Sequence, residues 1–330
     1  MAVPKLSICI ATYNRADFIG KTLDSITPQL TNEVELVVVD GASTDKTQEI
    51  VEAYVSSGSN VRYVRLPKKG GVDQDYCKSV ELADGEYVWL FTDDDLFEPK
   101  AIQRVLEEIK VGYNVLIVNA RVFDTNLSDV LAPGMLEDCS DKAFSTNELD
   151  GLFEAIVPYI SFIGCVVINK KLWLERDKEK YFGTEFVHVG QLFQAPIPGT
   201  VKVLGEPLIN IRYGNAQWTS RASIIWLSKW PSLLLSFTNI SEELRRKKTN
   251  LVSWGELKKM IVYRALNSYS FDTFRKAIVI TPSPLWWKCC ALVVAIVPSV
   301  ILKVVVAWYL KTFRWHVKEA RMTLLDLSKV

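Results

Sequence analysis

"VELVVVDGASTDKTQEIVEAYV", residues 34–55, decides the fold. Its first seven residues are nearly all apolar, the pattern of a strand buried on both faces of a sheet. Asp40-Gly41 then marks the strand end. Asp45 stands as a helix cap with Gln48 three residues on, and Ile50, Val51 and Tyr54 follow at helical spacing. A buried strand that feeds an amphipathic helix is the building block of a parallel α/β sheet.

The same alternation runs outward in both directions. "LSICIAT" (6–12) is a β-rich apolar run, and "DFIGKTLDSI" (17–26) sets Ile19, Leu23 and Ile26 on one helical face. "VRYVRL" (61–66) predicts a third strand and "QDYCKSVELA" (74–83) a helix. "EYVWLFT" (86–92) predicts a fourth strand. Pro99 then opens a helix that carries Ile102, Val105, Leu106 and Ile109, and "NVLIVNA" closes the series. The alternation implies right-handed crossovers and a mostly parallel central sheet with helices on both faces. "NLSDVLAPGMLEDCSDKAFSTNELDG" (126–151) is polar and punctuated by Gly and Pro, as in a long connection. "YISFIGCVVINKKLW" (159–173) predicts a strand and a turn, and the chain reads as helical from about residue 222.

The 330 residues suffice for one large domain or two ordinary ones, and 49% hydrophobic content supports a substantial core rather than disorder. A net charge of +1 argues against a general nucleic-acid binder. The opening "MAVPKLSICIATYN" lacks the basic and apolar segments of a signal peptide. Six cysteines, at 9, 77, 139, 165, 289 and 290, form no CxxC pair and read as reduced thiols. With only His188 and His316 available, a poly-histidine zinc site is excluded, and any metal must rely on oxygen ligands.

Ligands of open α/β sheets bind beyond the carboxyl ends of the strands. Three polar clusters stand at those ends: "ATYNR" (11–15), Asp40, and Asp93, Asp94 and Asp95 in "YVWLFTDDDLFEP" (87–99). Tyr13 offers a flat face for a base, and Asp40 an acceptor for a base N–H or a ribose hydroxyl. The acidic triplet supplies hard oxygens for Mg2+ or Mn2+, which bridge one or two carboxylates to substrate phosphates. Taken singly, each cluster also reads as an ordinary turn, a packed aromatic, or favourable charge at a helix N-terminus.

The C-terminal stretch "LWWKCCALVVAIVPSVILKVVVAWYLKTFRW" is the second informative region. From Leu285 onward, Lys288, Lys303, Lys311, Arg314, Lys318, Arg321 and Lys329 face only Glu319 and Asp326. Residues of about 285–310 approach the roughly 20 apolar positions a bilayer span needs, with tryptophans at 286, 287, 308 and 315 on its flanks. Pro298 and Lys303, near the middle, favour a bent re-entrant or interfacial pair over a clean span. A buried helix of a soluble domain is the alternative.

"LSICIATYNRADFIGKTLDSI", "VELVVVDGASTDKT" and "ELADGEYVWLFTDDDLFEP" together resemble family 2 glycosyltransferases of the GT-A fold. The likeness is nearest to O-antigen sugar transferases of the abequosyltransferase type, which share the later segment seen here as "GTEFVHV" (183–189). The resemblance is strong over residues 5–110, moderate to about 215 and absent beyond. It implies a GT-A domain over 1–220 and a helical C-terminal region over 221–330.

The implied activity is inverting glycosyl transfer (EC 2.4) from a nucleotide-diphosphate sugar to a glycan or lipid-linked glycan acceptor, with Mg2+ or Mn2+ as cofactor. Ala11, Tyr13, Arg15 and Asp40 would surround the nucleotide, with Asp73 near the base. The usual DxD falls on Thr92, Asp93 and Asp94, which puts Asp93 near the ribose and makes Asp94, with Asp95 alongside, the metal ligand. The missing first carboxylate, replaced by Thr92, places the metal requirement in question. Glu185 and His188 are the candidate bases, and His188 is equally a third metal ligand or a structural histidine. Arg212, in "LINIRYGNAQWTSRA", suits a diphosphate-closing loop.

The implied location is the cytoplasmic face of a bacterial inner membrane, by peripheral, re-entrant or single-span attachment. Two rivals stand beside this reading. One is a nucleotide-sugar-binding protein without turnover. The other is a nucleotidyltransferase, whose Gly-rich basic loop is absent from "ATYNRADF".

Overall fold

Alternating buried strands and amphipathic helices build the first half of the protein. The order is β1 Leu6–Thr12, α1 Ile19–Ile26, β2 Val34–Asp40, α2 Thr47–Ser56, β3 Val61–Arg65, α3 Val72–Leu82 and β4 Tyr87–Phe91. In this computed structural model residues 3–58, 60–136, 139–314, 323–324 and 327 are described. Every residue of β2 and β4 is buried, as a strand covered on both faces requires. In α1 the predicted triad Ile19, Leu23 and Ile26 is fully buried.

The four strands pair in parallel in the order β3-β2-β1-β4. Their register positions the site. Thr12 lies beside Asp40, and Phe91 beside Ile10, so the segments after β1, β2 and β4 all leave the sheet at one edge.

The second half of the sheet is mixed, within the mostly parallel sheet that the strand–helix alternation implied. It comprises β5 Leu96–Phe97, β6 Val115–Phe123, β7 Val130–Ala132, β8 Lys142–Ser145, β9 Val166–Asn169 and β10 Thr200–Arg212. β9 runs antiparallel between β4 and β6, and β5 and β8 run antiparallel to β10, while β10 is parallel to β6. The reason lies in "YISFIGCVVIN", expected to be one strand. Its first part is spent on turns whose groups anchor into the sheet: Trp89 Nε1 donates to the Gly164 carbonyl at 2.8 Å, and Tyr159 Oη to that of Val118 at 2.6 Å. Only four residues remain for β9, and the chain turns directly into α6 Lys170–Leu174, capped by Asn169.

Other boundaries shift for local reasons. Pro99 lies ahead of α4 Ala101–Val111 rather than in its first turn, because Glu98 accepts from the Ala101 amide and Lys100 takes a left-handed backbone. Asp45 accepts from the Thr47 amide at 3.0 Å, but Lys46 rather than Asp45 holds the N-cap position of α2, and Gln48 bonds Glu52 instead of reaching back. The polar connection 126–151 contains β7, β8 and the start of α5 Leu149–Ile156. α7 Val187–Phe193 precedes β10. Arg176, buried, donates to the carbonyls of Gln191, Leu192, Ala195 and Pro196, and so serves the open C-terminal end of α7.

The sheet and its helices form one unit, residues 1–123 and 132–212, and residues 124–131 and 213–330 form a second. The division thus falls at Arg212, where 220 was expected. The second unit is helical: α8 Ala222–Ile224, α9 Trp230–Leu235, α10 Glu242–Lys248, α11 Trp254–Ala265, α12 Phe271–Thr273, α13 Leu285–Ile296 and α14 Ser299–Phe313. Its core gathers Leu257, Met260, Tyr269, Ile278, Trp287 and Ala291.

No single described helix is long and apolar enough to cross a membrane. α13 and α14 pass that test only as a pair, bent by 101° at Val297-Pro298. Trp315, His316, Lys318, Glu319, Arg321, Asp326 and Lys329, noted in the sequence, lie outside the described residues.

Candidate active site

Two loops leave β1 and β2 side by side and are bonded to each other. The Asn14 amide donates to Ser43 Oγ at 2.9 Å, Arg15 N to Thr47 Oγ1 at 2.9 Å, and Ala16 N to Asp45 Oδ2 at 3.0 Å. Asn14 Oδ1 accepts from the Thr44 amide at 2.7 Å. Asn14 and Ala42 sit at φ 53° and 65°, a left-handed conformation that lets each loop turn within few residues. Together these bonds hold Arg15 against the segment that follows β4.

There Arg15 joins two carboxylates. Its Nε lies 3.1 Å from Asp93 Oδ1 and its Nη2 2.9 Å from Asp94 Oδ2. Both aspartates are 8% exposed. Burial, reinforced by the Asp94 charge and opposed by Arg15, pushes the Asp93 carboxyl up to about 7. β5 pairs with Ile209 and Asn210 of β10, which delivers Arg212 to the same place. The Arg212 amide donates to Asp95 Oδ1 at 2.7 Å, and its Nε to the Asp94 carbonyl at 3.0 Å. Both guanidinium groups lie over the Phe18 ring, at 5.5 Å for Arg15 and 5.3 Å for Arg212.

Several expected residues converge here, but not all in the expected way. Asp95 is 2% exposed, and its oxygens are taken by Thr92 Oγ1 and the Arg212 amide. Burial and then the Asp94 charge hold it well above the usual carboxylate range. It ties strand ends together and is no outward metal ligand. Asp40 is fully buried, accepting from the Ser43 amide at 2.7 Å and from Tyr63 Oη at 2.6 Å, so it shapes its own loop. Tyr13 does present a face, and Lys69 Nζ stands 3.7 Å from the ring centroid. Ala11 is half-buried at the end of β1.

Asp73 departs furthest from expectation. In the first turn of α3 and 4% exposed, it accepts from the amides of Glu185 at 2.9 Å and Val187 at 3.0 Å. It fastens the turn ahead of α7. Glu185 sits in that turn at φ 74° and half-buried, outside the helix, so it shares no helical face with His188. His188 is 1% exposed, its Nε2 is 2.8 Å from the Ile160 carbonyl, and burial pushes its pKa down to about 4. That environment is one of a buried, neutral histidine, whose Nδ1 has no hydrogen-bond partner among the described residues.

Sequence reasoning missed Phe18, Lys69, Tyr63 and Asp75. Phe18 precedes the apolar triad of α1 without belonging to it, and that surplus aromatic was the available signal. Asp75 is buried beneath Gly41 and Gly70, where a Cβ would meet its oxygens at 2.9 and 2.6 Å, so both glycines are needed for its close approach. No spacing rule points to it.

The donor set suits a hard divalent ion. Asp93 and Asp94 could supply the one or two carboxylates that such an ion takes from protein. Among the described residues no group of three His, Cys, Asp or Glu is arranged to hold a metal alone.

Residues 7–144 match the family described as Glycosyl transferase family 2. The abequosyltransferase RfbV of Salmonella typhimurium is 25% identical over 223 residues, covering 64% of this chain and 67% of that protein. The GalNAc(5)-diNAcBac-PP-undecaprenol beta-1,3-glucosyltransferase of Campylobacter jejuni is 26% identical over 196 residues, covering 54% and 62%. The chain thus spans about two thirds of the length of one relative and somewhat less of the other.

Among solved structures, Staphylococcus aureus TarS 1–349 in complex with UDP superposes with a TM-score of 0.57 at 18% identity, covering 98% of this chain and 88% of that one. Mannosyltransferase PcManGT of Pyrobaculum calidifontis, with GDP-Man and Mn2+, gives 0.56 at 14% identity, covering 100% and 87%. These likenesses give the sheet its name, the GT-A fold. Over residues 7–144 the chain is similar to glycosyl transferase family 2.

Proposed function

We propose that the protein transfers a sugar, with inversion, from a nucleotide-diphosphate donor to a glycan hydroxyl on a lipid-linked acceptor, at the cytoplasmic face of a bacterial inner membrane. The product would be a surface polysaccharide of O-antigen kind. One observation carries this reading: Arg15, Arg212 and the Asp93–Asp95 carboxylates meet over Phe18 at the carboxyl edge of a family 2 sheet. A pair of guanidiniums beside paired carboxylates matches a diphosphate that arrives with its counter-ion. The relatives support the chemistry, because one is named for a sugar and the other for an undecaprenol-linked acceptor.

Each residue then has a task. Asp93 and Asp94 would hold Mg2+ or Mn2+, which neutralises charge growing on the departing diphosphate when bound. Arg15, beside both carboxylates, would hold the donor phosphate next to them. Arg212 lies across the same phosphates. Tyr13 stacks the base once Lys69 leaves its face, and Ala11 leaves room beside it. Asp40 keeps the 40–43 loop in shape around the nucleoside. Glu185 removes the acceptor proton as the sugar's anomeric carbon is attacked from the opposite side.

Asp94→Asn tests this, since it keeps side-chain size and removes the charge. Transfer from the nucleotide sugar is expected to fall about a hundredfold or more, with an unchanged circular dichroism spectrum. A folded variant with full activity refutes the reading.

A further inference from the structure

α13 and α14 each have two apolar faces, and only one of each is covered. On α13, Trp287, Ala291 and Ala295 recur every four residues and are buried in the core of the second unit. On α14, Val306 is buried with Leu302, Ala307 and Leu310 packed beside it, against Ala265 and Leu266 of the α11 end. The opposite faces are open: Trp286 is 52% exposed, Val293 55%, Ile296 61%, Val300 72%, Val304 65% and Trp308 60%. Soluble monomers rarely expose so long an apolar surface without a use.

Length decides how a bilayer can meet it. At 12 and 15 residues the helices measure about 18 and about 22 Å, each short of a hydrocarbon core of about 30 Å. The 101° bend keeps them from adding end to end. Their inner faces are committed to the protein core, so neither can be surrounded by lipid. Charge points to the surface that fits. Residues 285–314 carry Lys288, Lys303, Lys311 and Arg314 and no acidic residue, and Trp286 and Trp308 stand near the two outer ends of the pair. Apolar face, flanking tryptophans and unopposed positive charge are what an anionic headgroup boundary selects.

We propose that α13 and α14 form a monotopic anchor, lying in the plane of one anionic leaflet with the Trp286–Trp308 face immersed and no segment crossing. This rests on the membrane side of the function proposed above and sharpens it from attachment in general to a single leaflet. It needs neither donor nor acceptor, so its failure leaves sugar transfer standing.

The full chain is floated with vesicles of phosphatidylcholine alone or with a third phosphatidylglycerol. It is expected to float with the anionic vesicles, and high salt should weaken binding without abolishing it. Val300→Glu with Val304→Glu places two charges on the immersed face and leaves the packed face intact. This pair should lower vesicle binding by about tenfold or more at unchanged Tm. In sealed vesicles, cysteines placed at Ser283 and Arg314 in a background lacking the native thiols should both react with an impermeant maleimide from the same side. Reaction from opposite sides, absence of flotation, or a dimer by light scattering that the Glu pair dissolves would each overturn the proposal.

Discussion

At the scale of single residues, Asp73 separates a positioning role from nucleotide contact. Its oxygens hold the Glu185 and Val187 amides, and Glu185 pays for that turn with a left-handed backbone. Asp73→Asn keeps one acceptor and turns the other into a donor that faces an amide N–H. Turnover should fall about tenfold to a hundredfold, with donor KM changed by less than about twofold. A large rise in donor KM at unchanged kcat would instead return Asp73 to the nucleotide. His188 gives the second residue-level expectation. Its folded pKa of about 4 lies below the unfolded value near 6.5. The unfolded chain therefore binds more protons between those values. The stability tied to neutral His188 is full above pH 6.5 and is lost as pH falls toward 4. Compared with His188→Gln, the wild type should lose on the order of 2 kcal/mol more stability between pH 7.5 and 5, measured by urea unfolding at each pH. Equal slopes would show that His188 is not held neutral.

At the scale of elements, the site depends on the antiparallel pieces added to a parallel sheet. Two residue pairs of β5 against β10 bring Arg212 to Asp95. α7 is short, and its two ends are served by side chains remote in sequence, Asp73 at the front and Arg176 at the back. Arg176→Ala would leave four carbonyls unserved in the interior. It should destabilise the fold by about 3 kcal/mol in urea titration, with activity per folded molecule largely kept. β5 and the strands after residue 123 were poorly legible because their local patterns are weak. β9 has four residues and β5 two, and their stability comes from pairing with strands already in place rather than from propensity. The run at 159–173 looked like a strand since it is apolar, whereas its Gly164 and Tyr159 are used as anchors in turns.

At the scale of the whole molecule, nucleotide and ion should bind as a linked pair, because Asp93 and Asp94 share one burial environment and one guanidinium. In a thermal-shift series with UDP, GDP, CDP and dTDP sugars, one nucleotide class should raise Tm by several degrees with Mn2+ present. At ligand a hundred times its Kd that corresponds to about 2.7 kcal/mol. The shift should shrink markedly in EDTA. An equal shift with EDTA would remove the ion from the site and leave the arginines to bind the diphosphate unaided.

Periodicity and strand-end chemistry were local properties, and the sequence alone determined what followed from them. These were the first four strands and their helices, the helical character beyond residue 222, the bend at Pro298, and the meeting of residues 11–15, 40 and 93–95 at one edge. A strand's hydrophobic run fixes where it lies, and parallel pairing fixes where it ends. Tertiary structure alone decided which polar atoms remain available at that edge. Asp40, Asp95 and His188 looked like ligands because their types are reactive. Folding enclosed them, and a buried polar group must find a partner or change its charge. Those partners, Tyr63, Arg212 and the Ile160 carbonyl, lie 23 to 117 residues away, and no local pattern encodes contacts across such distances.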